Sequence, residues 1–492
     1  MTLDLLSNTQ LAIPTDHKYT LAVTLGQGKP GPGPPSDLKR FRISRLTKQD
    51  QRQALLDLVN GSKRPFRRDD DVNVINTQLV AFCQQVQEET IGLAMPRPGG
   101  ARHSPTLSTR PQTLQASIRL YKHASQASHE NDVIFPTQEA ADQGLDAMAE
   151  NLAILQERWQ GQPFQAPTVE LAAEEIKLWS REDVAQEIRK QEAEKSCGTD
   201  GLHIRFLKAV EETSMLIWLQ ELFNQCLIQG HTPRAWNKSD IYLLTKDPGK
   251  RRDARNLRPI SIIGIFRKVF ERLLLLRAQP QPWAQLHPAQ AGFCRTSSTY
   301  SNAAAVHILL ASRSRSTALF LDFKSAFDVI DHQRLDTKLA QKGCPHRIRR
   351  LIQSLMFSDL KSRILINGQV SDEFLRTRGV LQGSPLSPWL FNLFIDDLLD
   401  CVNMQSPGIP LCLFYANDGV ILTNTQTDLA MLLYTIKEWT VPNAILLNPA
   451  KCAIVTSLPD LLQLYVYGQG IPQVDSYTYL GFPVTPSGID FQ

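Results

Sequence analysis

Two acidic residues stand out by where the chain places them. Asp418 falls inside Leu411–Leu422, where two short apolar runs flank Ala416-Asn417-Asp418-Gly419. Both runs have the length and composition of strands, and Asn, Asp and Gly tolerate positive φ, so a tight hairpin with a carboxylate at its tip is predicted. Asp322 closes the apolar run Thr317–Asp322. A strand buried on both faces reads as near-continuous hydrophobic sequence, and an acid at its end emerges where the strand stops. Carboxylate oxygens are the donors that hard cations prefer. Taken alone, the Asn-Asp-Gly stretch would be ordinary turn chemistry.

The elements that must position these acids are legible around them. Arg378-Gly-Val-Leu-Gln382-Gly383-Ser384-Pro385-Leu-Ser387-Pro388 leads into a helical run from Trp389 to Leu399. Ser384 and Pro385 suit an N-cap and a first helical position, and the preceding glycines let backbone approach a ligand closely. Asp328 is expected to cap the turn after Asp322. Upstream, Ser239–Lys246 reads as a strand, 247–253 as a turn and Asn256–Ser261 as a second strand, with Lys250, Arg251, Arg252, Arg255 and Arg258 crowding cations onto one tip. Ile265–Arg277 is an amphipathic helix with Phe266, Val269, Phe270 and Leu273 inward and Arg267, Lys268 and Arg272 outward. Further helices are expected from Ser180 to about Lys195, over Leu202–Val210, Met215–Gln229, Ser298–Ala311 and Asp428–Trp439, and from Arg334 onward. Asn367-Gly368 marks a hairpin within Arg363–Val370, and Asn448–Val455 is a turn into a strand.

At 492 residues and 42% hydrophobic composition the chain can hold two or three domains with a sizeable core. A net charge of +4 is mildly basic, so nucleic-acid affinity must come from local patches. The eight cysteines show no Cys-x-x-Cys pairing, which argues against a zinc site and a secreted disulfide framework. The N-terminus lacks a basic region and apolar core, and no apolar stretch reaches the ~18 residues of a membrane span. A protein that is not secreted, has no membrane partner and works in a reducing compartment, nucleus or cytoplasm, is expected. Residues 26–37 and 95–113 read as Pro/Gly-rich linkers; Leu38–Glu89 and Gln138–Trp159 carry helical patterns, and Lys63–Arg68 reads as a solvated basic face.

The ordered set Phe-Leu-Asp322-Phe-Lys-Ser-Ala-Phe-Asp328, Gly379-Val-Leu-Gln-Gly-Ser-Pro-Leu-Ser-Pro388 and Phe414-Tyr-Ala-Asn-Asp418 resembles the palm motifs of reverse transcriptases, in particular those of non-LTR (LINE-type) retrotransposons. The resemblance runs from about Lys177 to Phe482. It implies an α+β fold: a right-hand polymerase palm and fingers, with an antiparallel palm sheet backed by helices. The expected organisation is an N-terminal extension, helical and partly disordered, over 1–170; the fingers and their lead-in motif over 171–316; the palm over 317–460; and a primer-grip hairpin with a truncated end over 461–492, the thumb missing.

The implied activity is RNA-directed DNA polymerisation by two-metal nucleotidyl transfer, with Mg²⁺ (or Mn²⁺) as cofactor and an RNA template, a DNA primer and deoxynucleoside triphosphates as partners. By the same resemblance Asp322, Asp418 and the carbonyl of Phe323 hold the metals, and Lys451 protonates the departing pyrophosphate. Lys246 and Arg258 contact the triphosphate, Gln382 and Gly383 line the nucleotide pocket, and Phe327 blocks a ribose 2′-hydroxyl. Arg251, Arg252 and Arg255 form a phosphate-binding patch, Gly292 lies in a template-binding segment, and Tyr479 and Gly481 belong to a hairpin that grips the primer end. One departure falls at a sensitive place. The family has Tyr-x-Asp-Asp where this chain has Tyr415-Ala416-Asn417-Asp418, so the cluster lacks one negative charge. That is expected to cost on the order of 10²–10⁴-fold in rate. The alternative is a retroelement remnant that binds nucleic acid without chemistry. A diguanylate cyclase, another palm-fold enzyme, is disfavoured because its Gly-Gly-[Asp/Glu]-Glu-Phe hairpin is absent.

Overall fold

The computed structural model describes residues 9–10, 22–23, 46, 49–90, 152–167, 176–193, 197–246, 256–294, 296–312, 316–366, 369–403, 412–458 and 463–489. The expected linkers, the cationic turn at 247–255 and the Asn367-Gly368 turn lie outside them. The fold is α+β, and the chain forms two compact units that interleave in sequence. The first takes residues 1–276, 345–377 and 381–385, and the second takes 277–344, 378–380 and 386–492. Two-residue strands β1 (Thr9–Gln10) and β2 (Ala22–Val23) pair antiparallel near the N-terminus.

In the first unit, β3 (Lys238–Thr245) pairs antiparallel with β4 (Leu257–Ile262) and parallel with β6 (Lys361–Ile366). β6 also carries β7 (Gln369–Val370) and β8 (Phe374–Leu375). Helices Ser214–Gln229 and Ile265–Ala278 contribute Phe223 and Phe270 to an aromatic core with Trp179 and Trp236. Helices Gln49–Gly61 and Val72–Thr90 bear out the helical pattern of Leu38–Glu89, whereas most of Gln138–Trp159 lies outside the described residues. The basic run Lys63–Arg68 is only partly solvated, since Arg64 and Arg68 both pair with Glu221. Ser180 and Asp183 form a capping box, but that helix stops at Arg189 rather than near Lys195. Phe266, Val269, Phe270 and Leu273 are buried as expected, whereas Arg267, expected outward, has no solvent exposure because Glu271 neutralises it one turn away.

In the second unit a four-stranded sheet runs β11 (Ala453–Thr456), β5 (Thr317–Asp322), β10 (Asp418–Thr423), β9 (Cys412–Tyr415). Every pairing in it is antiparallel. β5 is an inner strand covered on both faces, which is why Thr317–Leu321 is buried throughout and only Asp322 reaches partial exposure. On one face Ala318 and Phe320 pack with Val420, Leu422 and Val455, under helix Thr299–Ala311 and the three-stranded sheet β14 (Tyr477–Tyr479), β15 (Phe482–Thr485), β16 (Gly488–Ile489). Burying a side chain of that size stabilises by roughly 1.5–3 kcal/mol, so the strand that ends on Asp322 is firmly seated.

Asp331 caps helix His332–Gln341 by accepting from the N–H of Arg334, and the Asp328 N–H donates to the Ser325 carbonyl at 2.8 Å within the turn after Asp322. Two local expectations are corrected. The helix after Gly379 is Ser387–Asn403, so Ser384 and Pro385 precede it instead of capping it. In the β9–β10 hairpin the two turn residues are Ala416 and Asn417, and the positive φ of 57° belongs to Ala416 rather than to Asn417, Asp418 or Gly419.

Candidate functional site

Asp418 opens β10 and stands directly across from Asp322, the last residue of β5. Facing carboxylates on adjacent strands repel, so this register is unfavourable unless cations or donors answer it. Lys451, exposed on the turn before β11, places Nζ 3.6 Å from Asp322 Oδ2. Asn448 donates twice to the same aspartate: its backbone N–H to the Asp322 carbonyl at 2.8 Å and its Nδ2 to Oδ2 at 3.3 Å. Asn417 turns its amide nitrogen onto Asp418 Oδ1 at 3.2 Å. Burial, and then the charge of Asp322, push the Asp418 carboxyl up to about 6, with Lys451 opposing. Tyr477, beneath β5, is pushed up to about 12 by burial and by both aspartates. A carboxyl held so far from its usual range marks the place where a cation would be bound most gainfully.

The hairpin tip is held from outside its own strands. Phe414 exchanges backbone hydrogen bonds with Ala289 and Ala291, each 2.8 Å. Gln290 Oε1 accepts from the N–H groups of Ala416 (2.9 Å) and Gly292 (2.8 Å). A Cβ on Gly292 would lie 2.0 Å from the Ala416 nitrogen, so Gly292 backs directly onto the turn. Ala416 has no glycine's freedom at φ 57°, and this clamp holds it there.

Phe323 is buried and stacks on Phe414. It forms an antiparallel bridge with Leu447 in which Asp322 and Lys324 make the flanking hydrogen bonds, leaving its own carbonyl turned to the other edge. Phe327, half-buried, stacks on Phe391 at 4.8 Å and 13°. Tyr479 is buried against Phe320 with its hydroxyl 3.4 Å from Asn302 Oδ1. Leu480 and Gly481, both at positive φ, turn β14 into β15, and Gly481 is exposed.

In the first unit, Leu244 and Lys246 point to one face of β3 and its extension, and Arg258 stands opposite Leu244, so both exposed cations share that face. Gln382 and Gly383 form a turn laid on β4: Ser261 N–H donates to the Gln382 carbonyl at 2.6 Å, and a Cβ on Gly383, at φ 121°, would meet the Ser261 carbonyl at 2.4 Å. Arg251, Arg252 and Arg255 lie outside the described residues.

Sequence reasoning missed Gln290, Asn448 and Asp200. Asp200 accepts from Ile265 N–H at 2.9 Å, tying Thr199-Asp200-Gly201 to the start of helix Ile265–Ala278, and Gly264 leaves room for its carboxylate. The only sequence signal was a polar residue beside glycine or a turn in each case, and its meaning depends on a distant partner. Among the described residues no group of three or more His, Cys, Asp or Glu side chains is placed to hold a metal ion. The donors on offer are two carboxylates, an amide and a backbone carbonyl, all hard oxygen, which suits Mg²⁺ or Mn²⁺ over softer metals.

Residues 245–484 match the family model described as reverse transcriptase (RNA-dependent DNA polymerase). The chain is 28% identical over 273 residues to a retrovirus-related Pol polyprotein from the type-1 retrotransposable element R2 of Popillia japonica, covering 53% of this chain and 37% of that protein. It is 26% identical over 399 residues to the R2 counterpart of Nasonia vitripennis (77% and 38%) and 28% identical over 337 residues to the RNA-directed DNA polymerase from mobile element jockey of Drosophila funebris (65% and 36%). The chain thus spans under two fifths of the length of each of these relatives.

Proposed function

We propose, from the premise that this chain carries a reverse transcriptase domain of the non-LTR retrotransposon type, that it extends a DNA primer on an RNA template by nucleotidyl transfer, at a rate depressed by Asn417. The observation that carries this reading is the register that sets Asp322 directly opposite Asp418 at the mouth of the hairpin. Asp322, Asp418 and the Phe323 carbonyl would hold divalent cations, whose chemistry when bound is to acidify the primer 3′-hydroxyl and neutralise the phosphoryl charge. Asn448 orients Asp322, and the exposed Lys451, 3.6 Å from Asp322 Oδ2, would give a proton to the departing pyrophosphate. In the first unit, Lys246 and Arg258 serve the triphosphate, Arg as a fork and Lys as a point charge, and Gln382 and Gly383 the base. Arg251, Arg252 and Arg255 add backbone contacts. Phe327 excludes the 2′-hydroxyl, Gly292 shapes the hairpin beside the template, and Tyr479 and Gly481 build the hairpin that meets the primer.

A second reading, binding of nucleic acid without chemistry, is favoured by one observation: Asn417 offers Asp418 a hydrogen-bond donor where a second carboxylate would add charge. Single-nucleotide addition with Mg²⁺ and saturating primer-template separates the two. Asn417→Asp should raise the rate by about 10²–10⁴-fold, and Asp322→Ala or Asp418→Ala in that background should abolish it. Equal rates for the parent and Asn417→Asp would refute the charge argument. If neither extends while both hold the hybrid, the second reading stands.

A further inference from the structure

We propose that Glu271 is a positioning residue that fixes the Gln382-Gly383-Ser384 turn from behind and thereby sets nucleotide affinity. The inference rests on the reading above, in which Gln382 and Gly383 line the nucleotide pocket. Glu271 and Arg267 lie one turn apart on helix Ile265–Ala278, and neither side chain reaches solvent. Arg267 Nε donates to Glu271 Oε1 at 2.6 Å. The other carboxylate oxygen, Oε2, accepts from Ser384 Oγ at 2.5 Å. Arg267 spends a further donor on the Trp236 carbonyl at 2.6 Å, so the pair is braced on its far side as well.

A buried ion pair is a poor way to gain stability, because desolvating both charges offsets their attraction and apolar residues of equal volume often do as well. What the pair supplies here is direction. Arg267 fixes the Glu271 carboxylate in one orientation, with Oε2 aimed at the buried hydroxyl of Ser384. The turn is pinned on its other side by Ser261, through the 2.6 Å hydrogen bond to the Gln382 carbonyl and the glycine-only approach at Gly383. Held at Ser261 and at Glu271, the intervening residues have one backbone course. Ser384, which does not cap the following helix, turns its hydroxyl to this bond instead.

The test uses the full chain carrying Asn417→Asp. Ser384→Ala removes the hydroxyl while leaving the Arg267–Glu271 pair intact, and Ser384→Thr restores a hydroxyl. Losing a hydrogen bond to a charged group should raise amide exchange of the 381–386 segment and the KM for deoxynucleotide by about 10-fold each, with kcat within about 3-fold. Ser384→Thr should recover most of both. In a Glu271→Gln background the Ser384→Ala step should add less than about 2-fold, since the oriented charge is already gone; should that chain fail to fold, the two Ser384 variants decide alone. Unchanged exchange in Ser384→Ala overturns the anchor whatever the activity. Raised exchange with unchanged KM overturns its bearing on nucleotide. Failure of the Asn417→Asp parent to add any nucleotide is the failure of the functional reading, and it removes the nucleotide half of this proposal while the exchange measurement still decides the anchor.

Discussion

Gly292 and Ala416 meet back to back, and each is the wrong residue for the other's place. A methyl group at Gly292 would sit 2.0 Å from backbone, so Gly292→Ala must displace the hairpin turn and with it Asp418. We expect it to abolish nucleotide addition and to destabilise by roughly 2 kcal/mol or more, as overpacking against backbone does. Ala416→Gly is the contrasting change: it relieves a positive φ at the expense of unfolded-chain entropy, so stability should stay within about 1 kcal/mol and addition should persist. Urea melts of both variants, beside the primer-extension assay, check the pair. The sequence showed a polar turn with an acid at its tip, but the geometry reversed which residue carries the left-handed backbone. Asn417 and Gly419 were the natural candidates by intrinsic preference. The bonds from Gln290 to Ala416 override that preference, and they come from a segment whose proximity no local pattern encodes.

At the level of strands and helices, the burial of Asp418, and then its opposition to Asp322, makes stability depend on pH in an unusual direction. Asp418 ionises near 6 in the fold and near 3.8 when unfolded, so the folded state binds the proton more tightly. Its contribution is complete below the unfolded value and is lost as pH rises through about 6, amounting to at most about 3 kcal/mol. Asp200, lifted to about 6 chiefly by burial, adds a loss of the same sign in the same window. Metal-free protein should therefore melt lower at about pH 7.5 than at about pH 5, and Mg²⁺ should raise the melting temperature more at the higher pH, where the carboxylate is free to bind it. Asp418→Asn should flatten part of the slope and remove the Mg²⁺ response; an unaltered response would place the cation elsewhere. The elements themselves were readable. The unbroken apolar run of β5 announced an inner strand, and Ser180 followed by Glu182 and Asp183 marked a helix start. Arg267 was misread because a cation on an amphipathic helix reads as its solvent face, whereas Glu271 pairs with it and the rest of the first unit buries both.

Across the whole molecule, charge is nearly balanced, so if the chain binds an RNA–DNA hybrid as proposed, Lys246, Arg251, Arg252, Arg255 and Arg258 are the cations expected to carry it. Affinity should fall steeply with salt, and Arg251→Gln with Arg252→Gln should reduce the log–log slope by about one unit for each phosphate that is no longer neutralised, across all sequences alike. Filter binding over a salt series measures it, and an unchanged slope removes these two arginines from the interface. Motif order along the chain carried the resemblance to reverse transcriptases, because each motif is local. The assignment of 345–377 and 381–385 to the first unit was not legible. For 345–377 it involves the parallel pairing of β3 with β6, joining residues more than a hundred positions apart, and for 381–385 the bonds of Gln382 to Ser261 and of Ser384 to Glu271; no local periodicity reports such partners.

The clamp on the β9–β10 hairpin also bears on the order in which the protein acquires its shape. β9 and β10 are neighbours in sequence and could zip together early, within microseconds by the usual pace of hairpins. Their tip, however, takes its backbone course from Gln290, which is 126 residues upstream of Ala416. Closing a loop of that span is slow and entropically opposed until the long-range contacts form. The pairing that sets Asp322 opposite Asp418 also joins distant residues, so we expect both the tip's course and this register to follow the local pairing of β9 with β10. A nascent chain would then carry the hairpin before it carried the facing carboxylates.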